Sequence, residues 1–264
     1  MIILGRTLRQ LRYDADMTQK QACVQCRFSE SKLSALELGQ RVPSMFDVAG
    51  MCRVYGASRD LEEQLIRMAD QADKPGWWEP YATSMLADFS VLLELEQVCS
   101  RMLVYQSELV PGLLQTRTYA RTVYTSSPAF DDGQIEQAVE LRSARQAHFW
   151  GRTPMPEVSM IVHESALIRP VCGPRGDAEQ QDRISEAAQY ADIRVLPTSV
   201  GAHASMLGSY LILDSTLDDI SDVVYTETIS GGRYEEDASI LADYRRFWEH
   251  TRKTTIPFEE YRQR

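Results

Sequence analysis

Residues 18–39, TQKQACVQCRFSESKLSALELG, decide the fold of the N-terminal part of the chain, because they predict two short helices joined by a very short turn. Thr18 and Gln21 have the spacing of a capping box, which marks the start of a helix. Ser29 is a favourable N-cap for the second helix, and Gly39 is a favourable C-cap. A turn this short forces the two helices to cross steeply, so that the second helix stands out from the body.

The second of these helices has one apolar side and one polar side. Leu33 and Leu36 have the spacing of side chains that face a core, while the residues around them face outward. This is the geometry of a helix-turn-helix, in which the second helix lies in the major groove of DNA with its N-terminal residues at the base edges. The start of the first helix, with Gln19, can meet a phosphate through backbone N–H groups and the helix dipole.

A surface for double-stranded DNA is therefore predicted at the starts of both helices and just past the second. Lys32 can donate to guanine O6 and N7, whereas Glu30 can accept only from the N4 amine of cytosine. The predicted DNA-contacting residues are Thr18, Gln19, Ser29, Glu30, Ser31, Lys32, Ser34, Ala35 and Arg41.

The segments LGRTLRQLR, MTQKQA and SESKLSALELGQRVPS within residues 4–56 resemble the lambda-repressor/Cro-like (XRE-type) helix-turn-helix domain. The resemblance implies an ion pair between an arginine of the first helix and a glutamate near the end of the recognition helix, here Arg12 and Glu37. It also places Gln19 at the matching glutamine position. Arg27 stands where that family usually has a turn glycine. Either Arg27 itself adopts the left-handed backbone conformation that glycine favours, or the turn is altered.

The charge of the chain is unevenly distributed. The net charge is −10, but residues 1–59 carry a balance of +4 and the remaining 205 residues a balance of −14. Such asymmetry is typical of a basic contact module attached to an acidic body. The five cysteines, an odd number, favour reduced thiols and a cytoplasmic protein. No apolar run is long enough to span a bilayer, so no membrane partner is predicted.

A cluster of helix and strand breakers, Lys74-Pro75-Gly76, predicts a domain boundary. We expect a five-helix domain over residues 1–73, a linker over 74–80 and a second domain over 81–264. Helical periodicity predicts a helix from Ser84 to Arg101, and later β-branched runs predict strands. The second domain is therefore predicted to be α+β, a small sheet covered by helices. The predicted strands are Val158–Val162, Ile193–Leu196, Tyr210–Leu213 and Val223–Thr226.

The second domain resembles that of WhiJ-type regulators of actinobacteria, an XRE-type domain followed by a C-terminal domain of uncertain function. The shared segments are WW, LVPGLLQTRTYAR, LRSARQ, HESALIRPVCGP, RVLP, GAH with GSYLILD, and VVYTE with GGR. The resemblance implies a transcriptional regulator of development or specialised metabolism. It also implies a small protein encoded nearby as a partner, in a manner compared with antitoxins.

Catalytic, metal and cofactor signals are weak. Cys23 and Cys26 form a C-x-x-C without a second ligand pair, so core packing is favoured over a zinc site and no metal or cofactor is predicted. Four polar residues lie at or beside predicted strand ends, where small ligands commonly dock. They form either locally satisfied strand ends or a sensor pocket for an unknown small-molecule effector. These four residues are Glu164, Arg169, His203 and Glu227.

The sequence as a whole predicts a sequence-specific DNA-binding transcriptional regulator. It is expected to be a homodimer through its C-terminal domain, with DNA binding confined to residues 1–73. An antitoxin-type interaction protein, which neutralises a small partner and binds DNA secondarily, is the main alternative. An enzyme is the weakest alternative, because no nucleophile motif and no Gly-rich phosphate loop accompany His163 and Glu164.

Overall fold

A computed structural model describes residues 2–72, 76–84, 89–215, 222–228 and 231–264. The described residues up to Glu79 form one compact unit, and those from Pro80 onward form a second. Two residues of the predicted linker, Lys74 and Pro75, lie outside the described residues.

The first unit is helical. Apolar side chains from all of its helices meet in one core, in which Leu8, Leu33, Leu36, Met51 and Leu65 are fully buried. Burial of such side chains is the main term that holds short helices together, because helices of this length are marginal by themselves. The helices of this unit are α1 (Ile2–Asp14), α2 (Gln19–Cys26), α3 (Glu30–Glu37), α4 (Met45–Tyr55) and α5 (Arg59–Ala72).

The second unit combines helices with one sheet, and the short 3-10 helix Glu79–Ser84 lies at its start. Its helices are α6 (Phe89–Val98), α7 (Arg117–Thr125), α8 (Asp132–Trp150), α9 (Glu164–Ile168), α10 (Gly173–Ala187), α11 (Ala238–Arg252) and α12 (Phe258–Arg262). Its strands are β1 (Cys99–Gln106), β2 (Glu157–His163), β3 (Asp192–Leu196), β4 (Tyr210–Ser215), β5 (Val223–Thr228), β6 (Gly231–Glu235) and β7 (Ile256–Pro257).

The described strands form one mixed sheet in the order β6-β5-β4-β1-β2-β3-β7. The central strands β1, β2 and β3 are parallel, whereas the strands on both sides pair antiparallel. On one face, Leu241 and Trp248 of α11 pack against Leu103, Tyr105 and Ile161. The other face is covered by helices that include α6 and α8. The predicted fold class, a helical N-terminal domain followed by an α+β domain, is confirmed.

One predicted helix extends three residues too far at its C-terminal end. The helix expected from Ser84 to Arg101 is α6 only as far as Val98, after which the chain continues as β1; residues 85–88 lie outside the described residues. Residues 102–105 of β1 are all buried, since helices cover both faces of the sheet. A strand buried on both faces has no polar alternation, and periodicity alone does not separate it from a buried helix.

Candidate functional site

The two-helix segment begins with a capping box. The backbone N–H of Gln21 donates to Thr18 Oγ1 over 3.3 Å, and the backbone N–H of Thr18 donates to Gln21 Oε1 over 2.9 Å. Helix α2 ends at Cys26 and is capped by Arg27, whose φ of 57° and ψ of 41° are left-handed. The arginine therefore adopts the backbone that a turn glycine would supply, at a cost of roughly 1–2 kcal/mol. The tight turn is kept.

Helix α3 presents its first turn to solvent. Ser29 caps it by accepting from the backbone N–H of Lys32 over 3.2 Å, while Leu33 and Leu36 are fully buried. Glu30 and Ser31 are exposed. Two more of the predicted contact residues, Ser34 and Ala35, are half-buried beside this face, and Gln19 is half-buried at the start of α2.

A buried ion pair fixes the recognition helix to α1. Arg12 Nε donates to Glu37 Oε1 over 2.6 Å, and Arg12 Nη2 donates to Glu37 Oε2 over 2.9 Å, so the pair is bidentate. Arg12 Nη1 also donates to the carbonyl oxygen of Met17 over 2.8 Å. The hydrogen bond to Glu37 raises the pKa of Arg12 further above its ordinary value, although burial opposes this. The structure thus brings together the two residues for which the resemblance implied pairing.

The ammonium group of Lys32 is held away from the predicted base-reading position. Lys32 Nζ donates to Asp47 Oδ1 over 2.6 Å and lies 4.0 Å from the centre of the Phe28 ring. Burial disfavours ionisation of Asp47, but hydrogen bonds from Lys32 and Ser44 outweigh it and keep the pKa of Asp47 below its ordinary value. Lys32 therefore links α3 to α4 in this structure, and a contact with guanine would require it to leave Asp47.

Other cations around the two helices are available for phosphate. Lys20 in the first turn of α2, Arg27 in the turn and Arg41 after α3 are exposed. None of the three forms an ion pair with any residue that the structure describes. Only Arg41 was among the predicted contact residues, although Lys20 directly follows Gln19 and Arg27 occupies the turn itself. The sequence feature that could have identified Lys20 and Arg27 is a basic side chain beside the predicted helix start or in the predicted turn.

Releasing Lys32 is expected to strengthen the phosphate contacts of this surface. In Asp47→Asn, the amide oxygen can still accept from the backbone N–H of Ser44, as the carboxylate does now over 3.2 Å, but the ion pair with Lys32 is lost. One freed cation that meets a phosphate steepens the slope of log affinity against log salt concentration by about 0.9. Affinity for non-specific DNA, measured by fluorescence anisotropy over a salt series, should rise.

The matched control is Asp14→Asn. It removes the same charge from α1, where Asp14 accepts a hydrogen bond from neutral Gln10, and it releases no cation. Equal salt slopes for the two variants would show that Lys32 does not reach the phosphates.

No hydrogen bond or ion pair between described residues joins any two of the four residues predicted as a ligand pocket. Glu164 accepts hydrogen bonds from Thr198, which lower the pKa of Glu164 below its ordinary value. Arg169 forms an ion pair with Glu108 over 2.6 Å. His203 packs between Tyr105 and His163, and burial lowers its pKa. Glu227 lines a separate cavity that none of the other three reaches. Glu164 and Arg169 are thus paired locally, whereas the buried Nδ1 of His203 has no hydrogen-bond partner among the described residues.

The C-x-x-C of α2 contributes to packing. Cys23 is buried and Cys26 half-buried, and both thiols are free. Burial raises the pKa of both thiols, which therefore remain protonated near neutral pH. Within the described part of the chain, no group of three or more His, Cys, Asp or Glu residues is placed to hold a metal ion. No described helix has both the length and the apolar character that crossing a membrane requires.

Two family models match the chain. One, with the description "Domain of unknown function (DUF5753)", matches residues 89–264, two-thirds of the chain. The other, with the description "Helix-turn-helix domain", matches residues 3–65 and includes the whole of α1 to α4 except Ile2. Neither a curated protein nor a solved structure matches the chain. The second match supports a DNA-binding regulator in general terms rather than an enzyme.

Proposed function

This chain belongs to the DUF5753 family, and from that premise we propose that it is a sequence-specific DNA-binding transcriptional regulator. In this proposal residues 1–73 bind a double-stranded operator. Residues 81–264 pair two copies of the chain and sense a ligand or a partner protein. We propose further that the chain is one of the WhiJ-type regulators of actinobacteria, that it acts in development or specialised metabolism, and that it is cytoplasmic.

The observation that carries the proposal is the exposed first turn of α3, held by the buried pair of Arg12 and Glu37. Glu30 and Ser31 point to solvent on a helix that Leu33 and Leu36 fix in place. A rigid helix with polar residues at its N-terminal end is what direct readout of base edges requires. The free cations Lys20, Arg27 and Arg41 supply the phosphate contacts that position such a helix.

Dimerisation is proposed because a single module of this size makes few contacts. One helix-turn-helix unit buries a small area on DNA, and pairing two units adds a second half-site one helical turn away. The acidic remainder of the chain, with its balance of −14 outside residues 1–59, is repelled by phosphate. It is therefore suited to self-association or to a partner on a side away from the DNA.

The test is selection of DNA by the purified full-length chain from sheared genomic DNA of its own source, followed by sequencing of the retained fragments. A shared, two-fold symmetric sequence is expected to be enriched. Absence of any enriched sequence would contradict sequence-specific binding.

The exchange Glu30→Gln then asks whether α3 is the reader. It keeps the side-chain shape but removes the negative charge. The carboxylate of Glu30 can accept a hydrogen bond only from cytosine N4 and is repelled by the phosphate backbone of DNA. Relaxed choice at a single C·G pair and tighter non-specific binding are expected in the same selection. Asp14→Asn removes an equal charge and should leave the selected sequence unchanged. An identical selected sequence for Glu30→Gln would assign base readout to another element.

Co-purification from native extract separates this proposal from the antitoxin-type alternative. A regulator of the proposed kind retains its operator whether or not a small protein accompanies it. If DNA selection failed while a small protein co-purified in equal amounts, the alternative would be favoured.

A further inference from the structure

The second unit contains a cavity of about 530 Å³ above one face of its sheet. Four side chains from neighbouring strands form its floor in a single row: Tyr225 of β5, Leu211 of β4, Val104 of β1 and Met160 of β2. Each is the register partner of the next, so the row runs without a break across four adjacent strands of the sheet. The floor is therefore apolar and rigid.

The walls of the cavity are also mainly apolar. They come from α6, α7 and α8 and from the segments that connect β1, α7 and α8. The apolar wall residues include Leu92, Leu113, Val123, Phe130 and Leu141. A mainly apolar cavity of this volume with a few polar groups is the usual form of a small-molecule site.

Arg142 of α8 brings a positive charge to this apolar wall. Its Nη1 donates to Gln115 Oε1 over 3.1 Å, and its Nη2 donates to the hydroxyl oxygen of Tyr124 over 2.5 Å. Both acceptors are neutral. Among the residues that the structure describes, no carboxylate forms an ion pair with Arg142. Gly112 leaves room for the guanidinium group, since a methyl group added at Gly112 would overlap Arg142.

The other charges near the cavity do not cancel that of Arg142. Arg145, one turn further along α8, is neutralised by Glu96 through three hydrogen bonds. Glu227 also lines the cavity, but it is exposed to solvent. The half-buried guanidinium of Arg142 is thus the charge that an occupant of the cavity would meet without a counter-ion.

We propose that this cavity binds a small apolar molecule with a single anionic group, and that Arg142 pairs with that group. A half-buried charge whose acceptors are neutral gains from a ligand anion, because the anion adds Coulomb attraction where solvent screens less and can accept two parallel hydrogen bonds from the guanidinium group. The row Tyr225, Leu211, Val104 and Met160 accommodates the apolar part. The further role of such a molecule as an effector of DNA binding rests on the proposed function, whereas its binding does not.

The test uses two fluorescent probes that share an aromatic body, on the full-length chain without DNA. 8-Anilinonaphthalene-1-sulfonate carries one anionic group, and N-phenyl-1-naphthylamine carries none. Both are expected to bind saturably at one site per chain, because both fit the apolar cavity. Arg142→Met, which keeps an unbranched side chain but removes the guanidinium group, should weaken the sulfonate probe about ten- to a hundredfold and leave the neutral probe unchanged.

Two further variants complete the design. Arg175→Met changes an exposed arginine of α10 that pairs with Glu179, and it should alter neither probe. Val123→Trp fills the cavity from its half-exposed wall and should weaken both probes. Three results would overturn the proposal: no saturable binding of the sulfonate probe, equal effects of Arg142→Met on both probes, or unchanged binding by Val123→Trp. Since no DNA is present, these results are independent of the DNA selection, which alone tests the proposed function.

Discussion

Replacing Glu37 with alanine is expected to lower the free energy of unfolding of the helical unit by about 3–5 kcal/mol. Arg12 and Glu37 are each 4% exposed, so the change leaves a buried guanidinium without a counter-ion, in contact only with neutral groups such as the carbonyl oxygen of Met17 and the ring of Tyr13. An arginine does not lose its proton at any working pH, so it cannot escape the penalty by becoming neutral. Without the Arg12–Glu37 ion pair, α1 and α3 are no longer joined by a buried salt bridge.

Hydrogen exchange with mass spectrometry measures this effect on peptides from α1 and α3, separately from the second unit. Opening of these helices should become more than about a hundredfold more frequent, the equivalent of 3 kcal/mol at 1.4 kcal/mol per factor of ten. The exposed pair of Arg59 and Glu63 provides the control, since Glu63→Ala should change exchange very little. The double variant Arg12→Met with Glu37→Leu should recover most of the loss, because it strands no charge. Unaltered exchange in Glu37→Ala would mean that the pair does not hold the two helices together.

Breaking the second buried pair, Arg145 with Glu96, is expected to have an effect of similar size on the second unit, with a pH dependence that reveals its cause. The side chains of Arg145 and Glu96 are 8% and 4% exposed. Although burial opposes its charge, the attraction of Glu96 raises the pKa of Arg145. Glu96→Ala strands a guanidinium and should cost about 3–5 kcal/mol at every pH from 5 to 9.

Arg145→Met strands the carboxyl group of Glu96 instead. A carboxyl group can take up a proton and become neutral, so the cost of this variant should be smaller at pH 5 than at pH 8. The direction follows from linkage: a native state that binds more protons than the unfolded state gains stability as the pH falls. Urea titrations of both variants at the two pH values measure the difference. Parallel pH profiles for Glu96→Ala and Arg145→Met would show that lost packing, rather than a stranded charge, causes the destabilisation.

The helix starts of the first unit were predictable from the sequence because their signals are local. Thr18 and Ser29 each accept a hydrogen bond from the backbone N–H three residues further along, which is the contact that the sequence pattern encodes. The same holds for Ser44 at the start of α4. Such contacts depend on a few neighbouring residues and on nothing distant in the chain.

The environment of Lys32 was not predictable in this way. The helical pattern places Lys32 near the outward face of α3, but its partner Asp47 lies fifteen residues later, on α4. Whether an exposed lysine meets DNA or a neighbouring helix depends on how two helices pack, and that packing is not visible in a local pattern. The turn at Arg27 shows a related limit, since Arg27 adopts a left-handed backbone conformation that arginine by itself disfavours.

The cavity was not predictable either, because its lining residues are still further apart in the sequence. Its floor joins β5, β4, β1 and β2, and β1 was not predicted as a strand. Arg142 lies on the long helix α8 but carries no local signal that separates it from other arginines. Conversely, Glu164, Arg169 and His203 all lie at or beside strand ends, yet each contacts a different neighbour: Thr198, Glu108 and His163. Strand order and register, which no short segment contains, decide which side chains meet.

The row of four side chains under the cavity also sets an order of events during synthesis. Val104 and Tyr225 belong to the same row, so the floor is incomplete until the ribosome has passed Tyr225. The helix-turn-helix unit ends its last helix at Ala72. At about 5–20 residues per second, roughly 8–30 seconds separate these two points of translation. A nascent chain therefore completes its helical unit well before its cavity, and long-range strand pairing delays the second step further. For that interval the cell holds a helix-turn-helix unit that no ligand of the cavity can yet influence.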